Sequence, residues 1–435
     1  MAWNPYFSLL ILASTIIDFF VAKYMQEARN KIQRRSLLLL SLLANLSLLF
    51  YFKYTNFFLS TFHALTNSSE SFQALDIILP VGISFYTFQT LSYTIDVYRG
   101  QKKAETSFIK FALYVSYFPQ LVAGPIERST HLLPQLDKFE YKYSDLIHGT
   151  KLIIWGFFKK LVIADRLAIY VNNAYGDVHS HSALTLLVAT YFFSFQIFCD
   201  FSGYTDIARG ISKLFGVDLM HNFKRPYFAK SISEFWKRWH ISLSTWFRDY
   251  LYIPLGGSRT SDVRWFFNIL IVFLISGLWH GANWTFVIWG ALHAFYFKIE
   301  KFINWLFPKK TTHKIVTIFK VLLTYHLTLF AWIFFRANNL EHAVTIIKKI
   351  LTDLTLSKSD IISSSLAFTY DNRSPSIVLI SIISIVFLLV IQFIQERGKD
   401  LKITKKQEYF FYITLIIITI FFGKYSENSF IYFQF

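Results

Sequence analysis

Apolar runs close to the thickness of a bilayer recur from one end of this chain to the other, and they leave few architectures open to it. Crossing a bilayer takes about 20 predominantly apolar residues. Candidate segments fall near Tyr6–Phe20, Ser36–Phe52, Ile77–Val97, Leu184–Asp200, Phe266–Leu278, Thr285–Phe302, Ile315–Phe335, Ile377–Ile394 and Tyr409–Phe422. Backbone in hydrocarbon must satisfy its own hydrogen bonds, so such segments are helices. The chain therefore reads as an all-α polytopic membrane protein, with residues 1–435 forming a single integral-membrane domain. Composition agrees, since 54% of the residues are hydrophobic and only 16% charged, too apolar for a soluble globular protein. Phe111–Val122 is short and runs into Pro-Gln-Leu-Val-Ala-Gly-Pro, which predicts a re-entrant or half-membrane element. Lys151–Tyr170 holds Lys159, Lys160, Asp165 and Arg166, and predicts a helix packed at the interface or inside the bundle. No internal repeat is visible, which counts against an inverted-repeat transporter.

The net charge of +17 would suggest nucleic acid as the partner of a soluble chain. Here the basic residues gather in short joints between apolar runs, the pattern of cytoplasmic loops facing anionic lipid. No nucleic acid is expected. The joints around Arg29–Arg35, Arg99–Lys103, Lys309–Lys314 and Arg397–Lys406 are placed in the cytoplasm, and so is Lys224–Arg264, with eight Lys/Arg against three Asp/Glu. The alternation puts Asn338–Pro375 and the tail Ser426–Phe435 outside. A cleavable signal is not expected, because the first apolar run starts almost at once and carries Asp18. One cysteine, Cys199, excludes an intrachain disulfide framework and any multi-cysteine metal site.

The stretch from His221 to His293 holds the leading candidates for function. His280 interrupts a run apolar enough for a bilayer, where a titratable group is costly unless it faces protein, water or substrate. Gly281 beside it lets backbone or substrate approach closely. The competing reading is a core histidine hydrogen-bonded to a neighbouring helix. His240 follows a basic amphipathic segment. The charge alternation sets His240 in a cytoplasmic joint and His280 at the outer end of its helix, so the two meet only if the joint folds back into the bundle. Asp96, Glu127, Arg128, Asp200, Asp206 and Arg209 also sit in or beside apolar runs, where ion pairing between helices is the simplest reading. The segment Cys199–Gly210, CDFSGYTDIARG, either shapes a substrate funnel or breaks a helix. No His-x-x-x-His or His-Glu-x-x-His spacing occurs, and no metal is expected.

Six longer motifs in one order then carry a resemblance: LPVGISFYTFQTLSYTIDVYRG (Leu79–Gly100), FPQLVAGPIER (Phe118–Arg128), CDFSGYTDIARG, FWKRWHISLSTWFRDYLYIPLGG (Phe235–Gly257), SGLWHGANWTFVIWGALH (Ser276–His293) and FFRA (Phe334–Ala337). This motif core, residues 79–337, resembles the membrane-bound O-acyltransferases, in the bacterial branch of alginate and peptidoglycan O-acetylation proteins. Members of that branch usually carry a further apolar segment ahead of the part resembling Trp3–Phe19. The resemblance implies a ring of tilted helices with re-entrant segments around a central tunnel. It also implies a catalytic histidine at His280 and a second active-site histidine at His240.

Acyl transfer from a thioester to a hydroxyl needs a base for the hydroxyl proton, and a neutral imidazole suits that role. His280 is the expected base. The developing oxyanion needs a donor, for which Asn283, Trp279 and Trp284 are near in sequence. Trp236 and Arg238 join Trp279 and Asn283 as expected substrate-binding residues, and the basic joint around Arg238 either attracts the phosphates of coenzyme A or an acidic carrier protein or only holds the joint on the cytoplasmic side. The resemblance implies acetyl-CoA or an acyl-carrier thioester as a donor substrate, with no permanently bound cofactor. It implies an acceptor polysaccharide or peptidoglycan reached through an extracytoplasmic partner, and a place in the bacterial cytoplasmic membrane. D-alanyl transfer to teichoic acid is the nearest rival, and a transporter without chemistry the rival of a different class. The ending Phe430–Phe435 resembles a C-terminal motif whose tyrosine is implicated as an acyl relay, so Tyr432 is either that relay or an anchor in the aromatic belt.

Overall fold

The computed structural model describes residues 5–66, 72–122, 124–307, 313–367, 376–398, 404–425 and Phe430. All regular elements among the described residues are helical: α1 (Phe7–Glu27), α2 (Lys31–Leu49), α3 (Thr55–Leu65), α4 (Ile83–Tyr98), α5 (Phe108–Ser116), α6 (Ser129–Leu132), α7 (Tyr143–Phe157), α8 (Asp165–Gly176), α9 (Ala183–Leu214), α10 (Ile232–Arg238), α11 (Ile241–Phe247), α12 (Asp262–His280), α13 (Trp284–Leu306), α14 (Lys314–Arg336), α15 (Leu340–Thr352), α16 (Lys358–Leu366), α17 (Ser376–Glu396) and α18 (Lys405–Phe422). Among the described residues, six helical stretches are long and apolar enough to cross a membrane: Phe7–Glu27, Lys31–Leu65, Ala183–Leu214, Asp262–His280, Lys314–Arg336 and Val378–Glu396. The chain is thus a polytopic helical membrane protein. The expected spans Thr285–Phe302 and Tyr409–Phe422 are helical, as α13 and α18, but stand outside those six.

Two segments depart from simple spans for local reasons. Ile77–Val97 does not run as one helix, because Pro80 and Gly82 precede its start and Gly82 sits at φ +80°. A Cβ at Gly82 would lie 2.8 Å from the Leu121 carbonyl oxygen, so glycine is required twice over. After Phe111 the chain leaves the helix at Ser116, in keeping with the short element expected there.

The chain packs as two compact units. The first comprises Met1–Thr150, Ala208–Met220 and Thr245–Leu251. Several of its buried polar groups bond to one another: the Asp18 carboxylate accepts from Ser41 Oγ at 2.5 Å and Asn45 Nδ2 at 3.0 Å, tying α1 to α2. Glu127 lies 2.7 Å from the His131 ring and accepts the Met220 N–H. Tyr250 donates to Asp96 at 2.8 Å, with the Arg128 guanidinium 4.6 Å from the Tyr250 ring centre.

The second unit comprises Lys151–Ile207, His221–Ser244 and Tyr252–Phe435. Within Lys151–Tyr170 the helix widens into a π-helical segment, Phe158–Ala164. That segment carries two lysines into the interior: Lys159 contacts Asp206 at 2.7 Å and Ser202 at 3.0 Å, and Lys160 contacts Asp165 at 2.8 Å and Asp200 at 2.5 Å. The acids of CDFSGYTDIARG are therefore partners of lysines. They do not break the helix, because α9 runs unbroken from Ala183 to Leu214. Gly156 and Gly203 allow the two backbones to touch, since a Cβ on Gly156 would lie 2.7 Å from the Gly203 carbonyl oxygen.

Candidate active site

The site is built on a tight pair of antiparallel helices in the second unit. His280 is the last residue of α12, three residues of connection follow, and Asn283 caps α13 by accepting the Thr285 N–H at 3.0 Å. Small residues set the crossing, as they do wherever apolar helices approach closely. A Cβ at Gly277 would lie 2.2 Å from the Phe286 carbonyl oxygen, and one at Gly290 would lie 2.2 Å from that of Phe273. Gly281 also meets protein, because its Cβ would fall 2.1 Å from the Phe286 ring. The close approach expected at Gly281 is therefore made by Phe286.

His240 reaches the same place from the joint between α10 and α11. Its φ of +42° lies in the left-handed region, a conformation that a non-glycine residue keeps only when its surroundings hold it. Asn222 supplies much of that hold. Its carbonyl accepts the Ile241 N–H at 3.0 Å, and its side-chain oxygen accepts Ser242 N–H at 3.2 Å and Ser242 Oγ at 2.6 Å. Lys224 N–H donates to the Arg238 carbonyl at 2.9 Å on the other side of the turn. The joint does fold back, and the His240 and His280 ring centres lie 6.3 Å apart.

Aromatic rings enclose both histidines. Trp279 lies 5.0 Å from His280 and 5.9 Å from His240, Trp289 and Phe335 lie 5.1 and 5.3 Å from His280, and Phe201 lies 4.6 Å from His240. His240 and His280 are 0% and 3% exposed, so an imidazolium on either would lack water. Burial pushes the His240 ring down to about 3, which keeps it neutral at neutral pH. An unprotonated imidazole nitrogen can accept a hydrogen bond from a substrate hydroxyl, and two histidines within reach of one another offer that twice.

The other expected residues separate into two groups. Trp236 belongs to the cluster, donating its indole N–H to His293 Nδ1 at 3.3 Å. The Asn283 side chain is engaged at both ends, its Nδ2 donating to the Asn338 carbonyl at 2.8 Å and its oxygen capping α13, which leaves one amide hydrogen for another acceptor. Trp284, named with it as an oxyanion donor, is 48% exposed. Arg238 is held by carboxylates: its terminal nitrogens bond both oxygens of Glu396 at 2.8 and 2.9 Å, and Glu234 as well. Tyr432 lies outside the described residues. Phe430 is buried, 5.7 Å from Phe201 and 5.2 Å from Tyr204, and Phe201 in turn lies against His240. Sequence reasoning assigned no role to Trp289, His293 and Asn222, although the first two share the motif Ser276–His293 with His280.

Comparison with known proteins shows the family of the chain. Residues 32–341 match the model of the membrane-bound O-acyltransferase family. The chain belongs to this family. It is 37% identical over 373 residues to a peptidoglycan O-acetyltransferase of Helicobacter pylori, covering 80% of this chain and 70% of that protein. It is 39% identical over 346 residues to a probable alginate O-acetylase of Azotobacter vinelandii, covering 78% of this chain and 68% of that one. A teichoic acid D-alanyltransferase of Bacillus subtilis is 30% identical over 285 residues, which cover 61% of this chain and 71% of that protein. This membrane-bound O-acyltransferase therefore has acetylating and D-alanylating relatives.

Proposed function

We propose that this protein moves an acetyl group from acetyl-CoA on the cytosolic side of a bacterial cytoplasmic membrane towards a hydroxyl of an extracytoplasmic polysaccharide or peptidoglycan. The observation that carries the reading is the pair His240 and His280, 6.3 Å apart inside an aromatic enclosure within a chain of O-acyltransferase family. His280 is the base that takes the hydroxyl proton, and His240 orients the acceptor or shares that proton. Trp279, in contact with both rings, lines the reacting groups, and Trp236 supports them through His293. Arg238 acts by holding the His240 joint to Glu396. Acetyl is preferred as the acyl group because the acetylating relatives are 37 and 39% identical and the D-alanylating one 30%. D-alanyl transfer to teichoic acid is the second reading, and that relative favours it.

The tail enters the same reading. Phe430 packed on Phe201 and Tyr204 anchors a segment whose Tyr432 serves as a covalent relay: its phenolic oxygen takes the acetyl group and passes it to an extracytoplasmic partner. A phenol is a better leaving group than an aliphatic alcohol because its pKa is near 10. The reading is tested with purified protein in liposomes, supplied with acetyl-CoA or with a D-alanyl carrier protein. Acetyl-CoA should be consumed, His280→Ala should slow consumption by about 10³-fold, and Tyr432→Phe should abolish labelling of the protein. Consumption of the D-alanyl donor alone would transfer the assignment to the second reading.

A further inference from the structure

We propose that Trp289 and His293 form the hydrogen-bond donor site for the carbonyl oxygen of the acyl group; the inference rests on the acyl-transfer reading above. The argument begins with Trp236. An indole N–H donates and cannot accept, so its 3.3 Å bond to His293 Nδ1 makes that nitrogen the acceptor. The rings packed on His293 are those of Phe235, Trp236, Phe273, Trp289 and Tyr296. No counter-charge stands among them, and a fully buried imidazolium there would be costly. The ring is therefore neutral, and its one proton sits on Nε2.

Two N–H donors then remain unused. Among the described residues, neither His293 Nε2 nor Trp289 Nε1 has a hydrogen-bond partner, and both side chains are 0% exposed. Buried donors without acceptors are rare in native interiors, because their desolvation is uncompensated. Both groups donate, so they cannot satisfy each other. Their rings lie 5.0 Å apart, and the Trp289 ring stands edge to face with His280 at 5.1 Å. What fits two neutral donors beside a base is an oxygen acceptor that gains negative charge during reaction.

The step balances. The acceptor oxygen bonds to the thioester carbon as His280 takes its proton, and the carbonyl electron pair moves onto oxygen, between the two N–H groups. The carbonyl then re-forms, the carbon–sulfur bond breaks, and the thiolate takes the proton from His280 to leave as thiol.

Trp289→Phe keeps a ring and deletes the N–H. With acetyl-CoA, its kcat should fall about 10²-fold or more while KM stays within about twofold and the thermal midpoint is retained. His293→Gln, which keeps an acceptor for Trp236, is the second variant and should show the same split. A dithioester analogue, whose C=S accepts hydrogen bonds poorly, supplies the readout that a packing defect would not move. Wild-type protein should favour the oxygen donor over the sulfur one by a ratio that collapses in both variants. Wild-type kcat in both variants, or reduced kcat with an unchanged ratio, would overturn the inference. Full activity in His280→Ala would instead remove the reading on which it rests.

Discussion

Two buried polar clusters of the second unit are built from opposite materials. Around the π-helical segment, two lysines meet three aspartates and a serine hydroxyl, so opposite charges lie in contact. Around His280, histidines and tryptophans meet in the interior with few bonds between them, and among the described residues the Trp289 and His293 N–H groups have no acceptor. Burying a charge is tolerable only when a partner and hydrogen bonds compensate it, so the first cluster uses its polarity to hold helices in place. A neutral imidazole in an apolar setting costs less and keeps its capacity to accept a proton. The clusters teach that burial of a titratable residue does not by itself mark chemistry; what matters is whether the fold has already consumed its bonding capacity.

Breaking the charged cluster should produce the largest change in stability. Lys160→Ala removes the ammonium shared by Asp165 and Asp200, and thermal unfolding in detergent should report a loss of about 3 kcal/mol or more. Adding Asp165→Asn and Asp200→Asn to Lys160→Met should recover most of it, since the charges then leave together. A triple variant as unstable as Lys160→Ala would mean that the lysine's packing, and not its charge, is what matters.

The histidine cluster should respond to pH. His240 is held near 3 in the folded protein against 6.5 when unfolded, so between those values the unfolded chain binds the extra proton. Stability is therefore constant above about 6.5 and falls as pH drops below it, by on the order of 1 kcal/mol at pH 5.5. His240→Asn should flatten that dependence when unfolding is followed from pH 7.5 to 5.5. An equal slope in the variant would assign the acid sensitivity to other groups. The smallest effect is conformational: because φ is +42° at His240, His240→Gly should be more stable than His240→Ala by about 1 kcal/mol.

Much of this was legible in the sequence where a signal is local. Apolar runs gave the helices, Pro80 and Gly82 mark where one of them could not begin earlier, and His280 stood out as a titratable residue in an apolar run. Residues whose roles depend on distant partners were not legible. Arg238 reads as a phosphate ligand until Glu396, 158 positions away, takes its guanidinium. Asn283 reads as an oxyanion donor, and the sequence does not show that its oxygen also caps α13 or that one of its amide hydrogens goes to Asn338. Trp289 and His293 join the site only because Gly277 and Gly290 let α12 and α13 cross at backbone contact, and no periodicity announces which turns of two helices will face each other. His240 needed its whole joint to fold back, through bonds to Asn222 that spacing cannot reveal.

One paired measurement tests most directly whether chemistry resides in the aromatic cluster and architecture in the charged one. Acetyl-CoA consumption would be followed for purified wild-type protein, His280→Ala and the triple variant Lys160→Met/Asp165→Asn/Asp200→Asn, each in liposomes at matched amounts of folded protein. The expected result is loss of turnover by about 10³-fold in His280→Ala, with turnover within a few-fold of wild type in the triple variant. Near-normal turnover in His280→Ala, together with an inactive but folded triple variant, would contradict the assignment and move the chemistry to the lysine–aspartate cluster.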